Sequence, residues 1–301
     1  MLSPGCQIPE KTGMPSYDTG NSALERARVA AEWLRERGVV EPAGLIVLGS
    51  GWSGLAEMAE PIGAWDYSGI PGLPETTTPG HPGRLMNAVW HGVACVVLVG
   101  CWHVYEGHTF DEAALPGMLA CALGCRWLLS TNAAGGVASH LRVGDLVLAE
   151  DDIFLWNAKG FRQHAGKRFS HIPRYSERLE NAFDRAGSAV NVRFSKGVLA
   201  LMTGPCYETP AEVGMIRAAG ASVVSMSTLP ESRWARLAGL DAAAVSCVTN
   251  LVPSSPLARI RHDEVLEVLE MSLGKAARLI ERWLEDEYVR GASGRRCYGL
   301  A

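Results

Sequence analysis

Short unbroken apolar runs alternate along this chain with longer segments whose apolar residues recur every three or four positions. The runs at 45–48 (LIVL), 94–100 (ACVVLVG), RWLLS, DLVLAEDDIFL, GVLALM, ASVVSM and AAAVSCV read as buried strands. The helical period appears over 22–38, where Gly38 ends it, over about 111–123, over 175–187, in ETPAEVGMIRAAG behind Thr209-Pro210, and over 262–287. Strand and helix signals in alternation predict an α/β fold with a mixed, mostly parallel twisted sheet flanked by helices. The Pro-rich stretch GIPGLPETTTPGHPG reads as loop. No repeat, low-complexity tract or linker divides the pattern. One domain over 21–290 is expected, between a Gly/Pro-rich flexible extension at 1–20 and a tail at 291–301.

Polar and glycine clusters fall directly after the strands: Gly49-Ser50-Gly51, 101–107, 131–136, 204–208, 225–228 and Thr249-Asn250. In open α/β sheets the carboxyl ends of the strands form the ligand crevice. Distant segments are therefore expected to converge on one site.

Composition narrows what that site can be. Of 301 residues, 48 % are hydrophobic, so the chain can bury a sizeable core, and 20 % are charged, low enough to suit burial of surface in an oligomer. The formal charge of −4 argues against generic binding to nucleic acid or to an anionic membrane, so any anion must be held by a few local groups. No apolar run reaches a membrane span, and the polar N-terminus lacks a signal-peptide core, so a cytoplasmic location is expected. Eight cysteines without a C-x-x-C pair do not make a disulfide scaffold, and Cys121 and Cys125 read as small core residues.

Gly49-x-Gly51-x-x-Gly54 matches a dinucleotide fingerprint, but a Pro-rich loop follows where a second strand should end in a ribose-binding acid. The simpler reading is an anion loop built from backbone N–H groups and the Ser50 hydroxyl. Thr131 to Gly136 reads as a second small-residue loop, or else as a plain strand-to-helix turn. His81, His103 and His108 invite a metal, yet no spacing among them matches a zinc pattern, and no metal is expected. His103, just past a strand and followed by Tyr105 and Glu106, suits an anion or hydroxyl better. Glu208 and Asn250 offer an acceptor and an amide suited to a heterocycle edge, with Tyr207 able to stack on its face. Glu208 has a plain alternative as a favourable charge at a helix start.

The strings LGSGWSGL, PGLPETTTPGHPGRL, HVYEG, STNAAGGV, GDLVLAEDDI, GPCYETPAE, VSMSTLPE and CVTN, in this order, resemble the trimeric purine nucleoside phosphorylase family, which includes methylthioadenosine phosphorylase. The resemblance implies a partly barrel-like sheet, a homotrimer, and cleavage of inosine- or guanosine-like nucleosides by phosphate to free purine and ribose 1-phosphate. Phosphate would be the co-substrate, with no metal or organic cofactor. It further implies that Ser50, His81, His103, the Ala133 backbone N–H and Ser227 bind phosphate, and that Tyr105, Met226 and His262 hold the ribose. Tyr207 and Glu208 would bind the base, Asn250 would assist protonation at N7, and Phe169 would close the neighbouring subunit's site. His103, Glu208 and Asn250 form the implied catalytic set. Two positions depart from the family pattern. Cys101 stands where an arginine usually precedes the phosphate-binding histidine, and Leu251 stands where a lysine often follows the asparagine. Asn250 and His262 resemble 6-oxopurine enzymes, whereas GPCYETPAE resembles the methylthioadenosine branch. Cys101 supports two alternatives, an N-glycoside hydrolase and an enzyme for an unusual nucleoside or methylthioadenosine; a nucleoside-binding protein without turnover is a further rival, against which the intact Glu208, Asn250, His103 and Ser227 argue.

Overall fold

The computed structural model describes residues 22–78, 81–155, 172–252 and 262–290. Among them the elements run α1 (Ala23–Arg35), β1 (Gly44–Leu48), β2 (Glu60–Asp66), β3 (Arg84–Trp90), β4 (Val93–Val99), α2 (Phe110–Ala113), α3 (Leu115–Leu123), β5 (Trp127–Gly136), β6 (Leu146–Phe154), α4 (Glu177–Val190), β7 (Ser195–Leu201), α5 (Pro210–Ala218), β8 (Val223–Ser225), α6 (Leu229–Leu237), β9 (Asp241–Leu251) and α7 (His262–Arg290). No helix among the described residues is long and apolar enough to cross a membrane.

All strands join one sheet in the order β2-β3-β4-β1-β5-β8-β7-β6-β9, and β9 returns to pair with β5. The ring β5-β8-β7-β6-β9 is thus closed, while β1 to β4 extend from it as an open wing. β5 makes this possible by its length. Its first half, from Trp127 to Thr131, lies between β1 and β9, and its last two residues, Gly135 and Gly136, pair antiparallel with β8. The runs β1, β4 and β5 are apolar on both faces because helices cover both sides of the sheet. One core gathers α1, α3 and α6 over one face, and a second gathers α4 and α7 over the other, with Trp283 stacked on Phe183 at 5.1 Å.

Four features depart from the sequence pattern. RLMNAVW is a strand, β3, which links the edge strand β2 to β4 through antiparallel ladders. The segment 131–136 is no loop and no strand-to-helix turn, because β5 continues to Gly136 and pairs with β9 throughout. Residues 229–237 form α6, whose Glu231, Ser232 and Arg236 are buried along with its apolar side chains, so it carries no amphipathic stripe. Pro116 lies at the start of α3 and separates it from α2 within the expected single helix.

Candidate active site

β1, β4, β5, β7, β8 and β9 send their C-terminal ends to one cavity of about 510 Å³. Of the residues singled out from sequence, Ser50, His103, Tyr105, Ala133, Tyr207, Glu208, Met226, Ser227 and Asn250 line it. His81 and Cys101 sit directly behind this wall. Of His262 only its place at the start of α7 is described, and Phe169 lies outside the described residues.

The turn after β1 can only be built from glycine at its first position. A Cβ on Gly49 would lie 2.4 Å from the Thr131 carbonyl oxygen of β5. This close approach brings Ser50 beside His81, with Oγ 2.9 Å from Nε2. His81 Nδ1 is engaged by the Cys101 backbone, 3.1 Å from both its N–H and its carbonyl oxygen. The His103 ring lies 5.0 Å from that of His81 and stacks on Tyr105 at 4.6 Å. His103 Nδ1 donates to Glu106 Oε1 at 2.7 Å, and Glu106 Oε2 accepts from the Thr77 N–H, the Thr77 hydroxyl and the Thr78 N–H. Burial opposes the Glu106 charge, but these hydrogen bonds prevail and hold its carboxyl well below the ordinary range. Glu106 was noted in the sequence only as a neighbour of His103, and Thr77 and Thr78 were absent from the sequence-derived site. The run of three threonines in ETTTPGHPG was their signal.

Cys101 is 2 % exposed. Its Sγ lies 3.7 Å from His103 Nε2 and takes a hydrogen bond with Ser227. Burial pushes its thiol well up, the carboxylates of Glu231 and Glu106 add to this, and the Ser227 contact opposes it. The neighbouring Trp102 is buried in the core. Its indole packs on Tyr67 and donates to the Pro74 carbonyl at 2.9 Å. No lysine or arginine is among the described residues lining the cavity.

At the other end, Glu208 precedes α5 but takes no part in starting it. Thr209 caps the helix by accepting from the Glu212 N–H, and Glu212 Oε2 accepts from the Thr209 N–H and hydroxyl. With the cap satisfied by Glu212, Glu208 is left to the cavity, where burial raises its pKa. The Thr249 hydroxyl donates to Asn250 Oδ1 at 3.0 Å, which fixes the amide oxygen and leaves the Asn250 NH₂ as donor. That NH₂ packs over β5, where a Cβ on Gly135 would lie 3.4 Å from it and 2.7 Å from Val252. Between the two ends, Met226 and Tyr105 both press against Gly204. Thr228, at φ 80, holds Met226 and Ser227 at the head of α6, and its hydroxyl accepts from Asn132 Nδ2 at 2.8 Å. Non-glycine residues in this backbone region carry strain, which clusters at functional sites.

The sheet and cavity define a single-domain α/β enzyme fold whose site places a buried cluster of histidines and hydroxyls next to a half-exposed aromatic and a carboxylate–amide pair. The model of the phosphorylase superfamily matches residues 45–285, and the chain belongs to that superfamily. It is 38 % identical over 254 residues to purine nucleoside phosphorylase 1 of Geobacillus stearothermophilus, covering 83 % of this chain and 92 % of that one. A schistosoma purine nucleoside phosphorylase in complex with hypoxanthine superposes with a TM-score of 0.79 at 31 % identity, covering 88 % of this chain and 99 % of that one. An isoform 2 enzyme from Schistosoma mansoni, in complex with cytosine and ribose-1-phosphate, gives a TM-score of 0.75 at 32 % identity, covering 88 % and 96 %.

Proposed function

We propose that this enzyme cleaves purine nucleosides with phosphate, giving free base and ribose 1-phosphate, and that it prefers 6-oxopurines. The observation that carries this reading is the joining of two unlike ends in one cavity: the Ser50–His81–His103–Ser227 cluster for the nucleophile and the Glu208–Asn250 pair for the leaving base. Relatives bearing the same activity in their names support it. A phosphate oxygen forms the bond to C1′ as the C1′–N9 pair of electrons passes to the purine. The Asn250 NH₂ donates to N7 as charge builds there, and the Glu208 carboxylate accepts from N1–H, so both bonds strengthen toward the transition state. An ionised Glu208 and a donor amide suit a 6-oxopurine. A homotrimer, with Phe169 closing a neighbour's site, and a cytoplasmic location complete the proposal and rest on the resemblance. No organic cofactor is required.

A second reading, N-glycoside hydrolysis, draws on the absence of a lysine or arginine among the described cavity residues. Assay of inosine cleavage with and without phosphate decides. Phosphate-dependent ribose 1-phosphate supports phosphorolysis. Base release without phosphate supports water as nucleophile, and saturable binding without cleavage leaves a binding protein.

A further inference from the structure

We propose that His81, Cys101 and His103 form a site for a divalent transition metal of the zinc class, at the anion end of the cavity. One ring nitrogen from each histidine and the Cys101 Sγ lie within 4.8 Å of one another, and all three residues are buried. The linear spacing hid this grouping. His81 arrives from the loop before β3 and the other two from the segment after β4, and His108 takes no part.

Ligand chemistry agrees, and one edge of the triangle already has the length that a bound metal sets. A tetrahedral zinc with Zn–S of about 2.3 Å and Zn–N of about 2.1 Å separates its sulfur and nitrogen ligands by roughly 3.6 Å. The observed 3.7 Å from Sγ to His103 Nε2 matches that edge. Imidazole and thiolate together select this class of metal over magnesium or calcium. Both histidines also carry the outer partners that metal ligands use. His103 Nδ1 donates to the Glu106 carboxylate at 2.7 Å, which turns its Nε2 toward the thiol, and His81 Nδ1 is held by the Cys101 backbone at 3.1 Å, so metal binding exchanges the 2.9 Å contact of His81 Nε2 with Ser50 Oγ for a coordinate bond.

Binding exchanges the Cys101 thiol proton for the metal–sulfur bond and releases that proton to solvent. Three protein ligands leave one position open, as in catalytic zinc sites. His103, Ser50 and Ser227 line the cavity at this point, so the open position is reached from the ligand side. In the phosphorylase reading, on which this role rests, a phosphate oxygen replaces water there. The metal then supplies the positive charge that a guanidinium supplies in relatives of the usual pattern.

The test uses the full chain, stripped with a chelator and titrated with Co²⁺. One equivalent per chain is expected, with thiolate-to-cobalt charge-transfer absorption and strong tetrahedral bands. Cys101→Ser should abolish the charge-transfer band, whereas Cys206→Ser, which removes an exposed thiol, should keep it. Glu106→Gln should weaken Co²⁺ by about 10–100-fold while leaving the band shape, as loss of an outer carboxylate does. Circular dichroism confirms that each variant is folded, and His81→Gln provides a second ligand deletion should Cys101→Ser fail to fold. Absence of the band in wild type, or its persistence in folded Cys101→Ser, overturns the site. Phosphate KM with and without metal then separates the two readings. Phosphate-dependent turnover by protein that binds no Co²⁺ overturns the metal alone. A Cys101-dependent cobalt spectrum in protein that cleaves without phosphate upholds the metal and overturns the phosphorylase.

Discussion

Glu208 and Glu212 are four residues apart and do different work. Glu212 completes the cap of α5 with Thr209, and Glu208 faces the cavity. Thr209→Ala should therefore cost about 1 kcal/mol of stability, a typical cap loss, and leave kcat/KM for inosine nearly unchanged. Glu208→Gln should do the reverse, lowering kcat/KM by about tenfold to a hundredfold, the worth of one hydrogen bond to a charged group. Glu208→Ala should lose more than Tyr207→Phe, because Phe keeps the packing area of a ring that is 44 % exposed. Since burial raises the Glu208 pKa, the acid limb of kcat/KM should lie above the ordinary carboxylate value of 4.5 and vanish in Glu208→Gln. At the other edge of the base, Asn250→Asp replaces the donor amide by an acceptor and should shift the inosine-to-adenosine ratio toward adenosine. A wild type that already prefers adenosine would remove the 6-oxopurine assignment. The chemistry-bearing residues of this paragraph were legible in the sequence because each stands next to a strand end. Their hydrogen-bond partners were not, and it is the Thr249 contact that tells which way the Asn250 amide points.

Secondary elements set these side chains through close backbone contacts. Gly49→Ala would drive a methyl into the Thr131 carbonyl of the adjoining strand. A loss of about 1–3 kcal/mol is expected from such overpacking, with phosphate KM rising more than nucleoside KM because Ser50 moves with the turn. Thermal melting and steady-state kinetics check both parts. The strands β1, β4, β5, β7 and β9 were readable because each contains a short, largely buried apolar run. β3 was overlooked beside its Pro-rich neighbour, and nothing in its pattern says that it pairs with both β2 and β4. α6 was invisible for a different reason. Arg236 and Arg233 pair with Asp152 of β6, and Ser232 lies 3.2 Å from the Tyr175 hydroxyl, so polar residues occupy core positions that a hydrophobic period would count as surface.

At the scale of the whole molecule, Glu231 is a buried acid whose cost can be measured. Burial raises Glu231 to about 7 from an ordinary 4.5. The folded state therefore holds its proton more tightly than the unfolded chain, so stability is greatest below pH 4.5 for this group and is lost as pH rises toward 7. The loss amounts to roughly 3 kcal/mol by linkage. Chelator-treated protein should melt lower at pH 8 than its other groups require, and Glu231→Gln should flatten that slope between pH 5 and about 8. An unchanged slope in the variant would mean that Glu231 keeps an ordinary affinity for its proton.

What the sequence determined by itself is the class of fold and the residue types at the site. Buried runs, glycine turns and the residues that follow strands are local properties, and local spacing expresses them. The tertiary structure decided the rest. Closure of the ring depends on β9 returning to β5, a pairing between positions more than a hundred residues apart. The cavity exists only because six strands end in the same place. Cys101 illustrates the difference most directly. In sequence it is an arginine lost, and in the fold it is a thiol held against two imidazoles, because a loop before β3 folds back onto the segment after β4.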